Sequence, residues 1–566
     1  MPGPRPQRAA ARKASAKLQT QDASPVDDDP DSDSALSSPP PSSLSSTSDM
    51  DSPPPKRQKP STNPRRRPGT TTKTTTKTTT TTTTPRTPTP TTLLPRHHPP
   101  TYHTPLLLTS PSTRAALLTW FTAVSSHRAM PWRRPFLPPH TTPSPILAQR
   151  AYEVYISEIM LQQTRVATVI SYWTAWMARF PTLAALADAD EDDVLAAWRG
   201  LGYYSRARRI HAAARMCRDT GLPDTVEGLV RVPGVGRYTA GAVAAIVFGR
   251  GEAMVDGNVV RVLVRQMGVW GEGKGVEGRV WEAAGGLVRA VVEDGGEERG
   301  ERAGLWGQAL MELGSTVCTP KRPGCGGCPI RGTCRVYEEG ERLARGEGLV
   351  RAEGLGDIED CGVCVPFEGD EGGVDGKGKG KGVSPFFVDE AGEEARRMEI
   401  IVNHAQKFPL RKPKKKVREE ETLVCAVRRV SDGAYLIHRR PDKGMLAGLW
   451  ELPSLILPST NDSKAEARKI KAMEYVASLV DGRGKAVKGK RKRDTPSPKH
   501  VADLGSVPWL FSHLKLTMHV QLFELDGDVG EEPEDDQRRW ASAEEVEQES
   551  MGTGMRKCWA LVQEHG

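Results

Sequence analysis

Hydrophobic residues are scarce in this 566-residue chain, at 37%, and aromatic residues make up only 6%. No apolar run approaches the ~20 residues that a membrane-spanning helix needs, and no stretch has the apolar core of a signal peptide. We therefore expect neither a membrane segment nor secretion. The nine cysteines are an odd number and mostly scattered, which argues against a secreted disulfide framework and for a reducing compartment.

Proline and glycine are abundant instead, with 45 and 55 copies, and the formal net charge is +8. Residues 1–110 are rich in Pro, Ser and Thr, which predicts a disordered tail because such a segment buries too little apolar surface. Residues 1–21 carry basic but no acidic residues, as in a mitochondrial presequence, whereas the basic clusters at 56–59 and 65–67 are typical of nuclear signals. We expect nuclear localisation, with the mitochondrion as a second compartment, and an anionic partner.

The rest of the chain divides by its periodicity into three parts. Residues 111–337 read as successive helices with short Gly/Pro connections, including predicted helices at 188–198 and 206–217. Residues 338–420 are acidic, then Gly/Lys-alternating, then basic, which predicts a linker. Residues 421–566 contain alternating stretches at 422–428, 434–439 and 514–525, which predict strands of an α+β domain with a terminal helix.

The stretch from Val232 to Asn258 combines a tight turn, a small-residue helix and an aspartate. Gly234 and Gly236 can take positive φ and bring the backbone close to a partner, and the helix start that follows can bind a phosphate. A carboxylate some twenty residues later, Asp256, suggests chemistry on a nucleic acid. An ordinary helix connection, with Asp256 or Asn258 as the N-cap of the next helix, accounts for the same residues.

Four cysteines lie close together with the spacing C-x6-C-x2-C-x5-C. Cys318, Cys325, Cys328 and Cys334 can reach one tetrahedral ion or the corners of a [4Fe–4S] cube. The spacing predicts a metal centre, and the ligand type alone leaves zinc and iron–sulfur both open.

Several long motifs resemble one family. The Cys-rich loop that follows Met311–Gly314 resembles the cluster loop of the endonuclease III superfamily of DNA glycosylases. Further segments resemble the MutY family of adenine DNA glycosylases within it: 130–133 (MPWR), 155–169 (YISEIMLQQTRVATV), 200–206 (GLGYYSR), 255–258 (VDGN), 446–453 (LAGLWELP) and 511–513 (FSH) with Lys515. The resemblance implies an all-α helix-hairpin-helix glycosylase domain with one [4Fe–4S] cluster, and a C-terminal α+β Nudix-like domain.

The resemblance also implies how the reaction proceeds. Glu158 corresponds to the general acid that protonates the departing adenine, and Asp256, supported by Asn258, to the carboxylate that stabilises the sugar cation. Tyr238 stands where strand-cleaving relatives have the lysine that forms a Schiff base. A phenol cannot form that adduct, so we expect a monofunctional glycosylase that leaves an abasic site.

Other motif residues are expected to bind the DNA. By resemblance Gln162 and Tyr203 wedge into the duplex while the base is extruded, and Trp132, Arg133 and Gln308 line the adenine pocket. Arg206, Arg208 and Arg209 are expected to contact phosphates. A core position for Tyr203 and a surface position for Gln162 are the plainer alternatives.

The C-terminal domain is expected to read the base opposite the adenine, 8-oxoguanine, through Phe511, Ser512 and His513. The segment after Pro453 lacks the Glu-rich helix that a Nudix hydrolase uses to bind Mg²⁺, so nucleotide hydrolysis is not expected. Mammalian relatives have a linker zinc site, and Cys361 and Cys364 could contribute two of its ligands. An additional linker cysteine is missing, so a histidine from elsewhere would have to complete the site.

The resulting hypothesis is a monomeric base-excision-repair enzyme that removes adenine opposite 8-oxoguanine or G in double-stranded DNA, with repair and replication proteins as further partners. Two alternatives stay open: an endonuclease III-like pyrimidine glycosylase with lyase activity, and a non-catalytic protein that binds damaged DNA. Tyr238 argues against the first, and the pair of Glu158 and Asp256 argues against the second.

Overall fold

The computed structural model describes residues 98, 100–347, 361, 363–365, 390–411, 417–441, 444, 446–457, 464–481, 497–511, 514–526 and 537–565. All of them lie within one compact unit formed by His97–Val365 and Pro385–Gly566. The expected targeting segments at 1–21 and 56–67 lie outside the described residues, as do Ser512 and His513.

The part that precedes residue 345 is helical, as the periodicity predicts. Its α-helices are α1 (Pro111–Val124), α2 (Ser144–Met160), α3 (Val166–Arg179), α4 (Leu183–Ala187), α5 (Glu191–Ala197), α6 (Ser205–Met216), α7 (Val226–Leu229), α8 (Arg237–Phe248), α9 (Gly257–Met267), α10 (Lys274–Glu293), α11 (Arg299–Thr316) and α12 (Arg335–Ala344).

The predicted helix at 188–198 is present as α5, but it begins later than predicted, at Glu191, and ends at Ala197. Asp188 is the C-cap of α4 and Asp190 the N-cap of α5. Short acidic side chains favour cap positions over helix interiors, so Asp188 and Asp190 end one helix and start the next, while residues 191–193 form the first turn of α5. The predicted helix at 206–217 is confirmed as α6.

Helix α2 forms the centre of the helical part. Residues 151–160 are all buried. The large, fully buried side chains of this cluster include Tyr152 and Tyr155 on α2, and Trp176 and Trp198 on the surrounding elements. A helix that is buried on every side must be enclosed by other elements. Glu158 is therefore largely shielded from solvent by the surrounding elements.

The second part contains one seven-stranded sheet, so the predicted α+β class is confirmed. Its strands are β1 (Arg418–Arg429), β2 (Tyr435–Arg439), β3 (Trp450–Glu451), β4 (Ser454–Leu457), β5 (Ser497–Leu510), β6 (Leu514–Asp526) and β7 (Arg538–Ala541). The main order is β3-β2-β1-β6-β5, with β4 on β1 and β7 on β2. Strands β1 and β6 pair in parallel.

Helices cover both faces of this sheet. Along β1, Val424 and Ala426 face one core and Leu423, Cys425 and Val427 face the other, as the two-residue period of a strand requires. Two helices, α15 (Ala543–Gln548) and α16 (Thr553–His565), pack on the first core, and α14 (Ala465–Asp481) packs on the second.

Two segments are structured inside ranges that the sequence assigns to a tail and a linker. Short 3-10 helices span Pro100–His103 and Leu106–Thr109, with Leu107 fully buried. Helix α13 spans Glu390–Gln406 and packs on α12. Among the described residues, no helix is long and apolar enough to cross a membrane.

Candidate active site and metal centres

A buried carboxyl group and a phenol meet at the centre of the helical part. Glu158, 6% exposed on α2, accepts a 2.6 Å hydrogen bond from the Tyr238 hydroxyl on α8. Burial raises the pKa of Glu158 to about 7, opposed by the Tyr238 hydrogen bond and by Arg133, and reinforced by the charge of Asp256. Burial and the two carboxylates raise the pKa of Tyr238 as well, so its hydroxyl keeps its proton. Glu158 can therefore carry a proton near neutral pH, as a general acid must.

Asp256 fits both interpretations of the 232–258 stretch, as the N-cap of a helix and as a candidate carboxylate for the reaction. One carboxylate oxygen accepts the backbone N–H of Val259 at 2.8 Å, so Asp256 is the N-cap of α9. The other oxygen accepts the side-chain amide of Asn258 at 2.7 Å. Burial raises the pKa of Asp256, while these hydrogen bonds oppose the rise. The cap thus fixes the orientation of a carboxylate whose second oxygen lies beside Asn258.

A chain of polar contacts joins this carboxylate to the first cysteine of the cluster loop. The Arg261 guanidinium donates to the Asn258 side-chain oxygen and to the Gly314 carbonyl, both at 2.7 Å. It also donates to the Cys318 carbonyl at 2.8 Å. The backbone of the cysteine loop therefore helps to position Asn258 and, through it, Asp256.

The three residues expected to line the adenine pocket differ in their exposure and in their contacts. Trp132 is 5% exposed and belongs to the hydrophobic core, where it packs on Trp173 at 5.9 Å between ring centroids. Gln308 is half-buried on α11 and donates to the Gly304 carbonyl. Arg133 is held at 2.6 Å by Glu312, which is 2% exposed.

Glu312 is a residue that the sequence interpretation missed. It is paired with both Arg133 and Arg128, and it orients the Arg133 guanidinium, which lowers the pKa of Glu158. The available signal was a lone acid between Met311 and Leu313 on a helix that otherwise packs in the core. A buried charge of this kind requires a partner.

In the hairpin only one of the two glycines adopts the expected backbone conformation. Gly234 has φ +80°, and a Cβ there would lie 2.7 Å from the Arg209 Cβ. Gly236 is the N-cap of α8 with φ −91°, so the expected positive φ at this position is wrong. Both glycines are exposed at the start of α8, where the unpaired N–H groups are available to an anion.

The two expected wedge residues lie on neighbouring loops with unusual backbone. Tyr203 is 54% exposed with φ +49°, so it is not a core residue, and Gln163 beside Gln162 has φ +56°. Positive φ is costly for such residues and persists only where the surroundings impose it. Arg206 ties the two loops together, since its guanidinium donates to the carbonyls of Ile159, Met160, Gln162, Leu201 and Gly202.

The expectation that Arg206 contacts phosphate is therefore wrong, because the residue is 8% exposed and its guanidinium is occupied by those carbonyls. Arg208 is ion-paired to Glu191 at 2.8 Å. Arg209 is exposed beside the Gly234 turn, where it remains the arginine of the three best placed to meet a phosphate.

The four loop cysteines surround a cavity next to α9 and α11. Apolar side chains of Val262, Leu313, Ile330 and Ala405 line the same cavity. The Cys318 sulfur accepts a hydrogen bond from the Arg265 guanidinium at 3.2 Å.

Burial raises the pKa of three of the four loop thiols, Cys325, Cys328 and Cys334. It raises the pKa of Cys325 to about 11 and that of Cys328 to about 12, and the neighbouring sulfurs add to the rise. Four thiolates in this cavity would therefore need a positively charged group between them, which a metal ion or an iron–sulfur core supplies. The chemistry of the donor set thus fits a metal centre.

A second set of ligands converges elsewhere. His98, His103, Cys361 and Cys364 place one ligand atom each within 4.8 Å of the others. The Nε2 atom of His103 lies 3.0 Å from the Cys361 sulfur and 3.3 Å from the Cys364 sulfur. The two cysteines expected in the linker are thus joined by two histidines that the sequence interpretation placed in the tail.

The surroundings hold these four residues in place. The Nδ1 atom of His103 lies 2.9 Å from the Met267 carbonyl, which directs Nε2 towards the sulfurs, and the Trp270 N–H donates to the Cys364 sulfur at 3.1 Å. At Gly271 a Cβ would lie 2.0 Å from the Val363 carbonyl, so only glycine lets the linker approach this closely. Such outer contacts are typical of metal-binding histidines and thiolates.

Of the opposite-base residues, only Phe511 is described. It lies between β5 and β6, half-buried, with its N–H donating to the Leu514 carbonyl at 2.7 Å. The roles expected for Ser512 and His513 remain predictions, since both lie outside the described residues.

Two family models match the chain. Residues 156–283 match the HhH-GPD superfamily of base excision DNA repair proteins, and residues 424–561 match the NUDIX domain. The first range contains Glu158, Tyr238 and Asp256, and the second begins on β1 and ends on α16.

Individual relatives match much more of the chain. An adenine DNA glycosylase of Rattus norvegicus is 34% identical over 80% of this chain and 78% of its own length, and one of Homo sapiens is 34% identical over 80% and 74%. Among solved structures, a thermostable thymine-DNA glycosylase is 23% identical and covers 41% of this chain and 99% of its own, with a TM-score of 0.32.

Proposed function

Because this chain belongs to the family of adenine DNA glycosylases, enzymes of base excision repair, we propose that it hydrolyses the N-glycosidic bond of adenine paired with 8-oxoguanine or G and leaves an abasic site. The observation that carries the proposal is the 2.6 Å hydrogen bond from Tyr238 to Glu158, a carboxyl whose pKa of about 7 keeps it a proton donor near neutral pH.

The two carboxyl groups divide the work in this proposal. Glu158 protonates the adenine ring so that the base leaves as a neutral molecule, and Asp256 stabilises the positive charge that develops on the deoxyribose. This division follows from their environments, since Glu158 is enclosed in the helical core while Asp256 is held by Val259 and Asn258. Two carboxyl groups with separated roles are the common solution for glycoside hydrolysis.

Tyr238 limits the reaction to base removal. Its phenol cannot add to the sugar as an amine does, and burial raises its pKa so that it stays protonated. We assign to it the positioning of Glu158. The lyase alternative would need an amine at this place, and among the described residues that contact Glu158 none is a lysine.

A single-turnover assay on a duplex with A opposite 8-oxoguanine tests the proposal, with wild type beside Glu158→Gln. We expect wild type to release adenine and to leave a strand that breaks only after alkali, and we expect Glu158→Gln to be inactive while it still binds the duplex. Borohydride trapping of an enzyme–DNA adduct would establish the lyase alternative. Binding without adenine release in wild type would establish the non-catalytic one.

We further propose that the Phe511–His513 segment reads the opposite base, as the resemblance leads us to expect. Ser512→Ala combined with His513→Ala should lower the ratio of single-turnover rate constants for A opposite 8-oxoguanine over A opposite G. Alanine removes the side-chain hydrogen-bonding groups and leaves the adenine site untouched. An unchanged ratio would contradict this assignment.

Cys318, Cys325, Cys328 and Cys334 are proposed to hold a [4Fe–4S] cluster, supported by the cavity that they surround and by the positive charge that four closely spaced thiolates require. Four thiolates would anchor the loop between α11 and α12, and the Arg265 guanidinium offsets negative charge at Cys318. Iron and sulfide analysis of the purified protein, with its visible absorbance, tests the proposal. One zinc in place of iron would overturn it.

His98, His103, Cys361 and Cys364 are proposed to hold one zinc ion, since two thiolates and two imidazoles form a common tetrahedral set. Elemental analysis should find one zinc per chain in wild type and less than that in His103→Ala or Cys361→Ser. The matched control is Cys558→Ser, a buried cysteine of the sheet domain. Equal zinc in all variants would reject the site.

We also propose double-stranded DNA containing the mispair as the principal partner, a monomeric state, contacts with repair and replication proteins, and nuclear localisation with a second, mitochondrial pool. Fractionation of cells that express the chain, with the 56–67 basic residues replaced, tests the localisation: nuclear retention should fall. Unchanged retention would reject this segment as the signal.

A further inference from the structure

One helix end in the C-terminal domain is bound by arginines from both domains. Arg199 follows α5 in the chain. Its guanidinium donates to three backbone carbonyls, those of Gln548 at 2.5 Å, Glu549 at 3.1 Å and Glu547 at 3.4 Å. Arg556 on α16 donates to the carbonyls of Glu547 and Glu549. The last carbonyls of a helix have no partner within it and attract cations, so Arg199 caps α15 from another domain.

The backbone of Arg199 is fixed on its other side by α3. The Arg199 carbonyl accepts the Tyr172 hydroxyl at 2.7 Å. Gly200 has φ +96°, and a Cβ there would lie 2.2 Å from the Tyr172 oxygen. The start of the 200–203 loop is therefore held between Tyr172 and the end of α15, and it cannot shift unless one of them also moves.

This loop carries Tyr203, which the sequence interpretation assigns to strand intercalation. The Trp198 indole N–H donates to the Gly202 carbonyl at 3.0 Å, and Tyr203 follows with φ +49° and 54% exposure. An unfavourable backbone conformation of this kind lasts only while its surroundings impose it. The position of α15 is one of those surroundings, through Arg199.

The same junction continues towards the hairpin that contains Phe511. Helix α16 carries Arg556 and packs on β5 through Gly554, where a Cβ would lie 3.1 Å from the Trp509 ring and 2.9 Å from the Met518 Cε. The Lys557 ammonium lies 5.0 Å from the Trp509 ring centroid. Trp509 precedes Phe511 by two residues, so α16 links the hairpin to the junction at 547–549.

We propose that Arg199 is a positioning residue that couples the opposite-base hairpin to the Tyr203 loop. The contact between Arg199 and the end of α15 holds the loop in the conformation in which Tyr203 intercalates. Binding of the opposite base by the hairpin stabilises this contact through α16. This proposal rests on the proposed function, because it assumes that the hairpin discriminates between 8-oxoguanine and G.

The first test compares single-turnover rate constants on A opposite 8-oxoguanine and A opposite G. Arg199→Ala should lower the first about tenfold and change the second little, since couplings between sites commonly reach that size. Arg199→Lys should recover part of the loss, because one ammonium can still cap the helix end. The matched control is Arg179→Ala, which removes an ion pair with Asp193 and a ring contact with Phe180, both within the helical part.

A second readout separates coupling from a purely structural role. In a double-mutant cycle, Phe511→Ala should cost less selectivity in the Arg199→Ala background than in wild type, and 2-aminopurine in place of the target adenine should show reduced unstacking opposite 8-oxoguanine. Equal losses on both substrates, additive effects in the cycle or an unchanged ratio would each overturn the proposal. Absence of selectivity in wild type would instead overturn the opposite-base role proposed for the hairpin, and absence of adenine release on both substrates would overturn the proposed function.

Discussion

Asp256 is the N-cap of α9, and we propose a chemical role for the same side chain. The two roles can be separated by substitution. Asparagine is as good an N-cap as aspartate, whereas alanine loses about 1 kcal/mol of helix capping. We expect Asp256→Asn to unfold like wild type and Asp256→Ala to be less stable by that amount. Both should lose at least about 100-fold in adenine release, because neither offers a negative charge to the sugar.

Urea unfolding and single-turnover assays measure these two effects on the same preparations. If Asp256→Asn keeps the wild-type rate, the carboxylate has only the capping role.

The Tyr238 hydroxyl sets the pH range in which Glu158 can act as an acid. The pKa of Glu158 is about 7, and the Tyr238 hydrogen bond lowers it against the larger effect of burial. Since the acid works in its protonated form, the rate should fall as pH rises through about 7. Tyr238→Phe removes the hydrogen bond, so the alkaline limb of the pH–rate profile should move to higher pH. A limb that moves to lower pH would show that the hydroxyl acts in the opposite sense.

The raised pKa also has a consequence for stability. The folded-state pKa of Glu158 lies above its ordinary value, so the folded protein binds this proton more tightly than the unfolded chain does. The contribution of Glu158 to the free energy of unfolding is thus greatest in acid and is lost as pH rises towards about 7. Glu158→Gln should flatten this part of the pH dependence in urea unfolding.

Helix α11 contacts the start of helix α9, where Asp256 and Asn258 lie. A Cβ at Gly314 would lie 2.6 Å from the Asn258 Cβ and 2.9 Å from its carbonyl oxygen. Gly314→Ala should therefore displace the first turn of α9, with a loss of ~1–3 kcal/mol in unfolding free energy and reduced adenine release.

Gly278→Ala is the matched control for this prediction. It lies on α10, where an added methyl group would meet nothing within 4 Å, so it should gain up to about 1 kcal/mol from helix propensity. Urea unfolding of both variants, with activity assays, makes the comparison. Wild-type stability and rate in Gly314→Ala would mean that the two helices adjust without consequence for Asn258.

Element boundaries were predictable where the signal is local. The helix at 206–217 and the strand at 514–525 agree with α6 and β6 to within about one residue. The helix predicted at 188–198 is α5, but its predicted start is too early because Asp188 and Asp190 are caps, of α4 and α5 respectively. A periodicity count does not distinguish a cap from an exposed helix face. The 3-10 segment around Leu107 was assigned to the tail because its burial depends on elements far along the chain.

At the scale of the whole molecule, one residue of the C-terminal domain belongs to the hydrophobic core of the glycosylase domain. Leu449 is fully buried in the cluster built around α2, and Leu446 packs against the same cluster. Leu449→Ala should therefore destabilise the helical part by ~2–5 kcal/mol, although the residue lies between the strands β2 and β3 of the sheet.

The control is Leu452→Ala, which is also fully buried but lies in a core of the sheet. Tryptophan fluorescence follows both parts, through Trp176 and Trp198 in the helical core and Trp540 and Trp559 in the sheet cores. The two variants should lower different unfolding transitions. If both variants lower the same transition to the same extent, the two domains unfold as one unit, and Leu449 does not stabilise the helical part separately.

Local motifs are enough to single out the residues that we propose carry the chemistry: Glu158, Asp256, Tyr238 and the four loop cysteines. Caps, helix periods and cysteine spacings act over a few residues, so they can be read along the chain. Which distant residues meet depends on the packing of whole elements. Glu158 and Tyr238 are 80 positions apart, His103 and Cys361 are 258 apart, and Arg199 and Gln548 are 349 apart. No short-range pattern encodes such contacts. Each one arises only when whole helices and strands pack together, and that packing depends on residues far apart in the sequence.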